Sequence, residues 1–398
     1  MRLTTDFEEL LSSVPGVYPT VLIESLERLA ESGSIPKPLF TDALEKIGKK
    51  PRGNCRRKTQ ELPIPHPLDF DWRFDRSTTS SLSKLCLDIT RQNDLILCLG
   101  TPSIFRGLAN SGFPRKLVLV DKNPCYARTW KGQSQTIIQT DLVNDDLGAI
   151  SARVTIADPP WYQEHQYSFL RAASIATKPG GFVFVTTPLT GTKDNVETDW
   201  KEFLSWSRQS GLEQVSATAF PVTYDSPYFE RNALKAAGAR SIPARWRKGN
   251  LVMFRKTSNS RLKRSWIRTP AASWPEEGYW GIRVRRTKPA LSKKFRDPSL
   301  RSIIPGDILP TVSRGDPRRA EADVWTSGNR IFACEAPHIL VAILRSMREG
   351  LPIVPTVTAT LGPRVSTAQL ELVNRTVRQI LSIVQTESRE SGYQLEWH

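Results

Sequence analysis

The sequence predicts an α/β fold: a doubly wound, Rossmann-like sheet with a helical segment before it and an α+β domain after it. Three observations carry that expectation. Short apolar runs end repeatedly in a glycine or an acidic residue, at Gly100, Asp121, Asp141 and Asp158. Segments with helical spacing separate those runs, the alternation that builds a parallel sheet. One run, Val154-Thr155-Ile156-Ala157, stops at Asp158-Pro159-Pro160-Trp161. Each proline fixes its own φ and restricts the residue before it, so this is a rigid turn at the carboxyl end of a strand. Open α/β sheets bind their ligands at that end.

The residues up to about Lys50 are near neutral, and Phe7, Leu10, Leu11, Val21, Leu22, Leu26 and Leu29 recur at helical spacing. They read as a small helical bundle or a partner-docking piece. A basic linker follows over 51–67, with Arg52, Arg56, Arg57 and Lys58 punctuated by Pro63, Pro65 and Pro67. The first sheet strand is Asp94–Leu99, terminated by Gly100-Thr101-Pro102-Ser103. Helical spacing then begins at Ile104 and Phe105, the strand–turn–helix start of a nucleotide-binding unit.

The second strand, Lys116–Val120, ends in Asp121, about 20 positions after that turn. A carboxylate there accepts the hydroxyls of a ribose. The third, Thr136–Gln139, is followed by Asp141, placed to meet an adenine amino group. The fourth ends in the Asp158 turn. A helix over about 164–177 leads to a fifth strand, Gly180–Thr186. A helix over 196–208, a sixth strand over 212–220 and a reversed seventh strand over 251–255 complete the sheet.

The Asp158 turn suits a planar amino group. Asp158 and the Pro159 carbonyl, fixed by Pro160, accept the two N–H hydrogens, and Trp161 stacks on the ring. A conjugated amino nitrogen is a poor nucleophile, because its lone pair is delocalised. Acceptors aimed at its hydrogens localise that pair, and their effect grows as charge develops. Stacking adds about 1–3 kcal/mol per base. The competing reading is a Pro-rich turn closing a core strand. Tyr162 and His165, just past the turn, are further candidates to touch a substrate; for His165 a plain histidine at a helix start competes. Between the last two strands, Tyr228 and Phe229 are candidates to flank a target base. Arg231, Arg245 and Arg247 are candidates to contact phosphate, and a simple connecting excursion is the alternative for each.

The order of glycine turn, two acidic strand ends and Asp-Pro-Pro-aromatic resembles a class I S-adenosylmethionine-dependent methyltransferase of the amino-nitrogen type. Leu99-Gly100-Thr101-Pro102-Ser103 departs from Gly-x-Gly-x-Gly and is similar to the Thr-Pro-Ser-type turn of the N6-adenine methyltransferase-like family. That family includes ribosomal RNA adenine and elongation-factor lysine methyltransferases. Leu68–Phe74 resembles its Phe-Asp-x-Arg-Phe segment. The tetrapeptide at 158–161 is itself similar to that of the messenger RNA adenine methyltransferases, whose motifs run in a different order.

The resemblance covers about Leu68 to Lys256. It implies a seven-stranded methyltransferase sheet over 68–257 and S-adenosylmethionine as cofactor. Gly100, Thr101, Pro102, Ser103, Asp121 and Asp141 would bind that cofactor, and Asp158, Pro159, Pro160 and Trp161 would form the catalytic turn. The substrate would be adenine N6 in RNA or DNA, with a protein lysine as the alternative. A non-catalytic nucleic-acid-binding subunit is a third reading, motivated by the glycine-poor first turn.

Composition agrees. The 398 residues carry a net charge of +16, which favours a polyanionic partner such as RNA or DNA through counterion release. Basic residues recur from Arg240 to Arg301, interleaved with Trp266, Trp274, Tyr279, Trp280 and Phe295. That mixture supplies phosphate contacts and stacking, or else a solvated basic face over a small core. The remainder, 258–398, reads as a recognition or partner-binding domain with strand character over 324–332 and helices over 337–347 and 367–386. The five scattered cysteines predict reduced thiols in a cytoplasmic protein, and the four separated histidines predict no metal site. No apolar run reaches the length of a membrane span.

Overall fold

A computed structural model describes residues 7–38, 62–112, 114–130, 136–215, 220–239, 243–263, 278–285, 295–313, 315–361 and 365–393. The chain divides into two compact units. The first comprises 1–55, 72–226 and 239–269; the second comprises 56–71, 227–238 and 270–398.

The first unit is built on a nine-stranded sheet. Its strands are β1 (Arg73–Phe74), β2 (Leu95–Leu99), β3 (Lys116–Asp121), β4 (Thr136–Gln139), β5 (Ala152–Ala157), β6 (Thr177–Pro188), β7 (Leu212–Gln214), β8 (Phe220–Asp225) and β9 (Lys248–Lys256). They lie in the order β1-β8-β9-β6-β5-β2-β3-β4, with β7 also paired to β9. The central strands β4, β3, β2, β5 and β6 are parallel, and β9 runs against β6. That order, with its reversed strand, is a doubly wound Rossmann-like sheet. The helices of this unit are α1 (Phe7–Ser13), α2 (Pro19–Glu31), α3 (Arg76–Asp88), α4 (Pro102–Ala109), α5 (Pro124–Thr129), α6 (Gln163–Ala176) and α7 (Val196–Gln209).

Parallel strands covered by helices read as apolar runs, and here β2, β3 and β5 are buried almost throughout, while β4 at the edge of the sheet is partly exposed. Leu97, Leu99, Val120, Ala157, Val183 and Val185 join Leu170 of α6 and Phe203 of α7 in one core. Three details differ from the expected seven strands. The sixth is two pieces, β7 and β8, each paired with β9. The fifth begins at Thr177, where α6 ends, because Thr177 already pairs with Ala152. The short β1 adds an edge, with Phe74 opposite Tyr224.

Register places the chemistry. Leu99 is level with Val120 and with Ala157, so Gly100, Asp121 and Asp158 emerge together at the carboxyl edge. Ala157 is level with Val185, which sets Thr186 beside Asp158.

The second unit holds α8 (Tyr228–Ala236), α9 (Pro337–Glu349), α10 (Ile353–Leu361) and α11 (Thr367–Ser391). It also holds a five-stranded antiparallel sheet of β10 (Gly278–Tyr279), β11 (Ile282–Val284), β12 (Arg301–Ser302), β13 (Val324–Thr326) and β14 (Ile331–Ala333). Ile339, Leu340 and Ile343 of α9 pack with Val373, Ile380 and Val384 of α11, the apolar stripes of two amphipathic helices. Tyr279, Trp280 and Phe295 pack against that core rather than standing as a stacking face. Trp266 and Trp274 lie outside the described residues, as does much of the basic stretch.

The unit boundaries differ from the expected contiguous domains, for local reasons. The N-terminal segment belongs with the sheet: Tyr18 meets Trp246 edge-on, with ring centroids 5.2 Å apart. Before Trp72, Asp69 pairs with Arg283, and the His66 ring hydrogen-bonds the Trp325 carbonyl (3.3 Å), so this stretch of the expected linker joins the second unit. α8 joins it as well. Its Phe229, Ala233 and Leu234 are fully buried, and Asn232 donates to the Gly328 carbonyl (2.9 Å).

Candidate active site

The Asp158 turn is fixed by three backbone contacts. The Asp158 amide donates to the Leu99 carbonyl (3.1 Å), and the Tyr162 amide to the Pro160 carbonyl (2.7 Å). Lys193 Nζ donates to the Trp161 carbonyl (2.9 Å). Of the two proline carbonyls, Pro160 is therefore spent within the turn. Among the described residues none donates to the Pro159 carbonyl.

Two hydroxyls hold the Asp158 carboxylate. Thr186 Oγ1 donates to Oδ1, and Tyr224 OH donates to the same oxygen (2.8 Å). Among the described residues none donates to Oδ2, which is left as a hydrogen-bond acceptor. Burial pushes the Asp158 carboxyl up, and the two hydroxyls and the Arg247 charge offset only part of that, so it stands at about 7. Neither Thr186 nor Tyr224 was among the residues singled out from the sequence.

Trp161 is positioned from two sides. Its ring meets Tyr224 edge-on, with centroids 5.8 Å apart. A Cβ at Gly249 would lie 2.9 Å from Trp161 Cζ2 and 3.0 Å from the Thr187 carbonyl, so only glycine lets the indole rest on β9. Arg247 lies over three indoles, with Cζ 4.8 Å from the Trp246 ring, 4.9 Å from Trp72 and 5.5 Å from Trp161. The partly buried guanidinium thus lies within a tryptophan cluster, a setting that favours a cation.

The other substrate candidates fare differently. Tyr228 OH bonds Glu390, with Arg330 3.2 Å away, and Phe229 is fully buried; both are structural parts of the second unit rather than flanks for a base. Arg245 pairs with Asp75 (3.4 Å) and Asp225 (3.6 Å), so its charge is already matched. Arg231 sits partly buried on α8. His165 stands in the first turn of α6, its Nδ1 3.7 Å from Glu164, in the manner of a helix-start histidine. The Tyr162 ring lies 5.8 Å from the His165 ring.

At the cofactor end, Gly100 has φ +61°, in the left-handed region, and a Cβ there would lie 3.1 Å from Phe169 and 3.4 Å from the Asp158 carbonyl. Thr101 precedes α4, and Pro102 and Ser103 open it. Asp121 Oδ1 accepts from the Asn123 amide (2.8 Å). Asp141 is turned on itself: Oδ1 accepts from the Val143 amide (3.1 Å) and Oδ2 from Asn144 Nδ2 (3.0 Å). Ser103 Oγ and Asn123 Nδ2 are buried without a partner among the described residues. A buried polar atom without a partner costs roughly 1–3 kcal/mol, so both fit a polar ligand that completes them. Asn123 was missed from the sequence; its place in the turn Asp121-Lys122-Asn123-Pro124 was the available signal.

No protein-family model matches the chain, and no curated protein does. Solved structures do resemble it. A branched-chain polyamine synthase from Thermus thermophilus shares 17% identity over 67% of this chain and 87% of its own, with a TM-score of 0.48. In the C9 mutein of that enzyme the chain spans 63% of the other's length, just under two thirds, at 18% identity and a TM-score of 0.44. A TehB-like SAM-dependent methyltransferase from Corynebacterium glutamicum shares 13% identity over 46% of this chain and 89% of its own, with a TM-score of 0.31. The N-methyltransferase NodS from Bradyrhizobium japonicum shares 13% over 46% and 99%, with a TM-score of 0.30. These are likenesses of fold alone.

Proposed function

We propose that the chain is an S-adenosylmethionine-dependent methyltransferase acting on an amino nitrogen, and that its acceptor is adenine N6 in RNA or DNA. One observation carries this reading. Both hydroxyl donors land on Asp158 Oδ1, which leaves Oδ2 and the Pro159 carbonyl beside Trp161 as a pair of acceptors for one –NH2 group.

Bound S-adenosylmethionine supplies an electrophilic methyl group on a sulfonium. Gly100 leaves room for it, Asp121 is level with Gly100 to accept ribose hydroxyls, and Ser103 and Asn123 offer unused polar atoms. In its ionised form, which the Thr186 and Tyr224 hydroxyls favour, Asp158 draws density toward the acceptor nitrogen by taking one of its hydrogens in a hydrogen bond. The nitrogen sheds its proton after methyl transfer, so no separate base is required beforehand. Alignment and these acceptors supply most of the rate. A base in a duplex must be flipped out first, which favours single-stranded or unpaired substrates.

The net charge of +16 supports a polyanionic acceptor. The test is methyl transfer from labelled cofactor to RNA, single-stranded DNA and protein acceptors in parallel, with Asp158→Ala as control. Label on adenine N6, lost in the variant, is the expected result. Label on lysine, or nucleic-acid binding without any transfer, would replace this reading with a lysine methyltransferase or a non-catalytic subunit.

A further inference from the structure

We propose that Arg247 is the specificity-determining residue of the Asp158 pocket: its guanidinium, held among Trp72, Trp161 and Trp246, selects a neutral planar amine and excludes a cationic alkylamine. The inference rests on the amino-nitrogen reading above and names what that pocket discriminates.

Aromatic faces beside a carboxylate form a site for a cation. Here that site has an occupant from the chain itself. Arg247 Cζ lies 4.8–5.5 Å from the centroids of three indole rings, and its charge acts on Asp158. The backbone holds it there, because the Arg247 carbonyl accepts the Tyr224 amide (3.0 Å). Tyr224 is the residue whose hydroxyl holds Asp158. One short antiparallel pairing thus sets the guanidinium and the carboxylate donor together.

An incoming ammonium meets a carboxylate already in the field of the Arg247 charge and indoles already covered by a like charge. Two like charges a few ångströms apart in a partly buried site repel strongly enough to discriminate on the order of tenfold to a hundredfold. A neutral ring pays no such penalty. It gains a second stacking surface, since a guanidinium plane stacks on bases as indoles do.

The test is binding, read by intrinsic tryptophan fluorescence of the full chain at fixed ionic strength. Adenosine is the neutral probe, free of phosphate, and propylammonium chloride is the cationic one. The wild-type chain should bind adenosine at least about tenfold more tightly than propylammonium. Arg247→Gln should strengthen propylammonium by about tenfold or more and weaken adenosine. Arg247→Lys keeps the charge but not the plane, so it should still exclude propylammonium while weakening adenosine. The proposal is overturned if Arg247→Gln, with a native circular dichroism spectrum, leaves the ratio of the two affinities unchanged. It is equally overturned if the wild type binds propylammonium as well as adenosine. Should Arg247→Gln not fold, undiminished adenosine binding by Arg247→Lys overturns it. Methyl transfer is read separately, so a chain that shows this selectivity and transfers no methyl group retires the enzymatic reading alone.

Discussion

The Tyr224 hydroxyl donates to Asp158 Oδ1 at 2.8 Å, joining the last residues of β8 to the turn after β5. That bond favours the ionised carboxylate and offsets part of the burial that raises it, the balance leaving the group at about 7. An ionised Asp158 is the form that accepts amine hydrogens, so activity should rise with pH through the neutral range. Tyr224→Phe removes a donor to the charged form. Its acid limb should move to higher pH, with activity at pH 7 reduced more than activity at pH 9. A pH–rate profile for both chains measures this; coincident limbs would remove Tyr224 from the account.

Asp158 couples function to stability. Its folded pKa lies above the ordinary 3.8, so the folded chain holds more protons than the unfolded one between about 4 and 7. Stability contributed by this group therefore falls as pH rises through that window. Asp158→Asn should be more stable than the wild type above pH 7, by thermal denaturation, and the advantage should shrink toward pH 4. Transfer by the same variant should drop by about a hundredfold or more, the scale seen when a preorganised polar group is lost from an active site.

Gly249 is the floor under Trp161. Gly249→Ala places a Cβ 2.9 Å from the indole and 3.0 Å from the Thr187 carbonyl. The ring must shift, since backbone cannot yield as easily. The expected outcome is a raised KM for the acceptor with cofactor affinity retained. Titration with cofactor and steady-state kinetics separate the two.

Phe229 is core, so its substitution is a stability experiment. Phe229→Ala should destabilise by about 3–5 kcal/mol in chemical denaturation, the range for a fully buried Phe. A change under about 1 kcal/mol would contradict its placement in the core.

Much of this site was legible in the sequence because it lies on strand ends. Gly100, Asp121 and Asp158 each follow an apolar run, and parallel register makes them neighbours. Thr186 and Tyr224 were hidden because they reach Asp158 from 28 and 66 residues away, through register that no local spacing records. The aromatic setting of Arg247 was hidden for a different reason. In Arg245-Trp246-Arg247 a charged residue is expected to face solvent, and only the placement of Trp72 and Trp161 shows otherwise. Tyr228-Phe229 looked like an aromatic flank, yet Phe229, Ala233 and Leu234 already had the spacing of a buried helix face. Asp141 follows its strand as expected, but Val143 and Asn144 close a turn on both of its oxygens.

Calorimetric titration with S-adenosylmethionine, repeated on Asp121→Ala, tests the central claim most directly. Binding in the micromolar range, the usual range for enzyme substrates, is expected for the wild-type chain and should be lost in Asp121→Ala while its fold persists. No binding by the wild-type chain, alone or with RNA present, would contradict it.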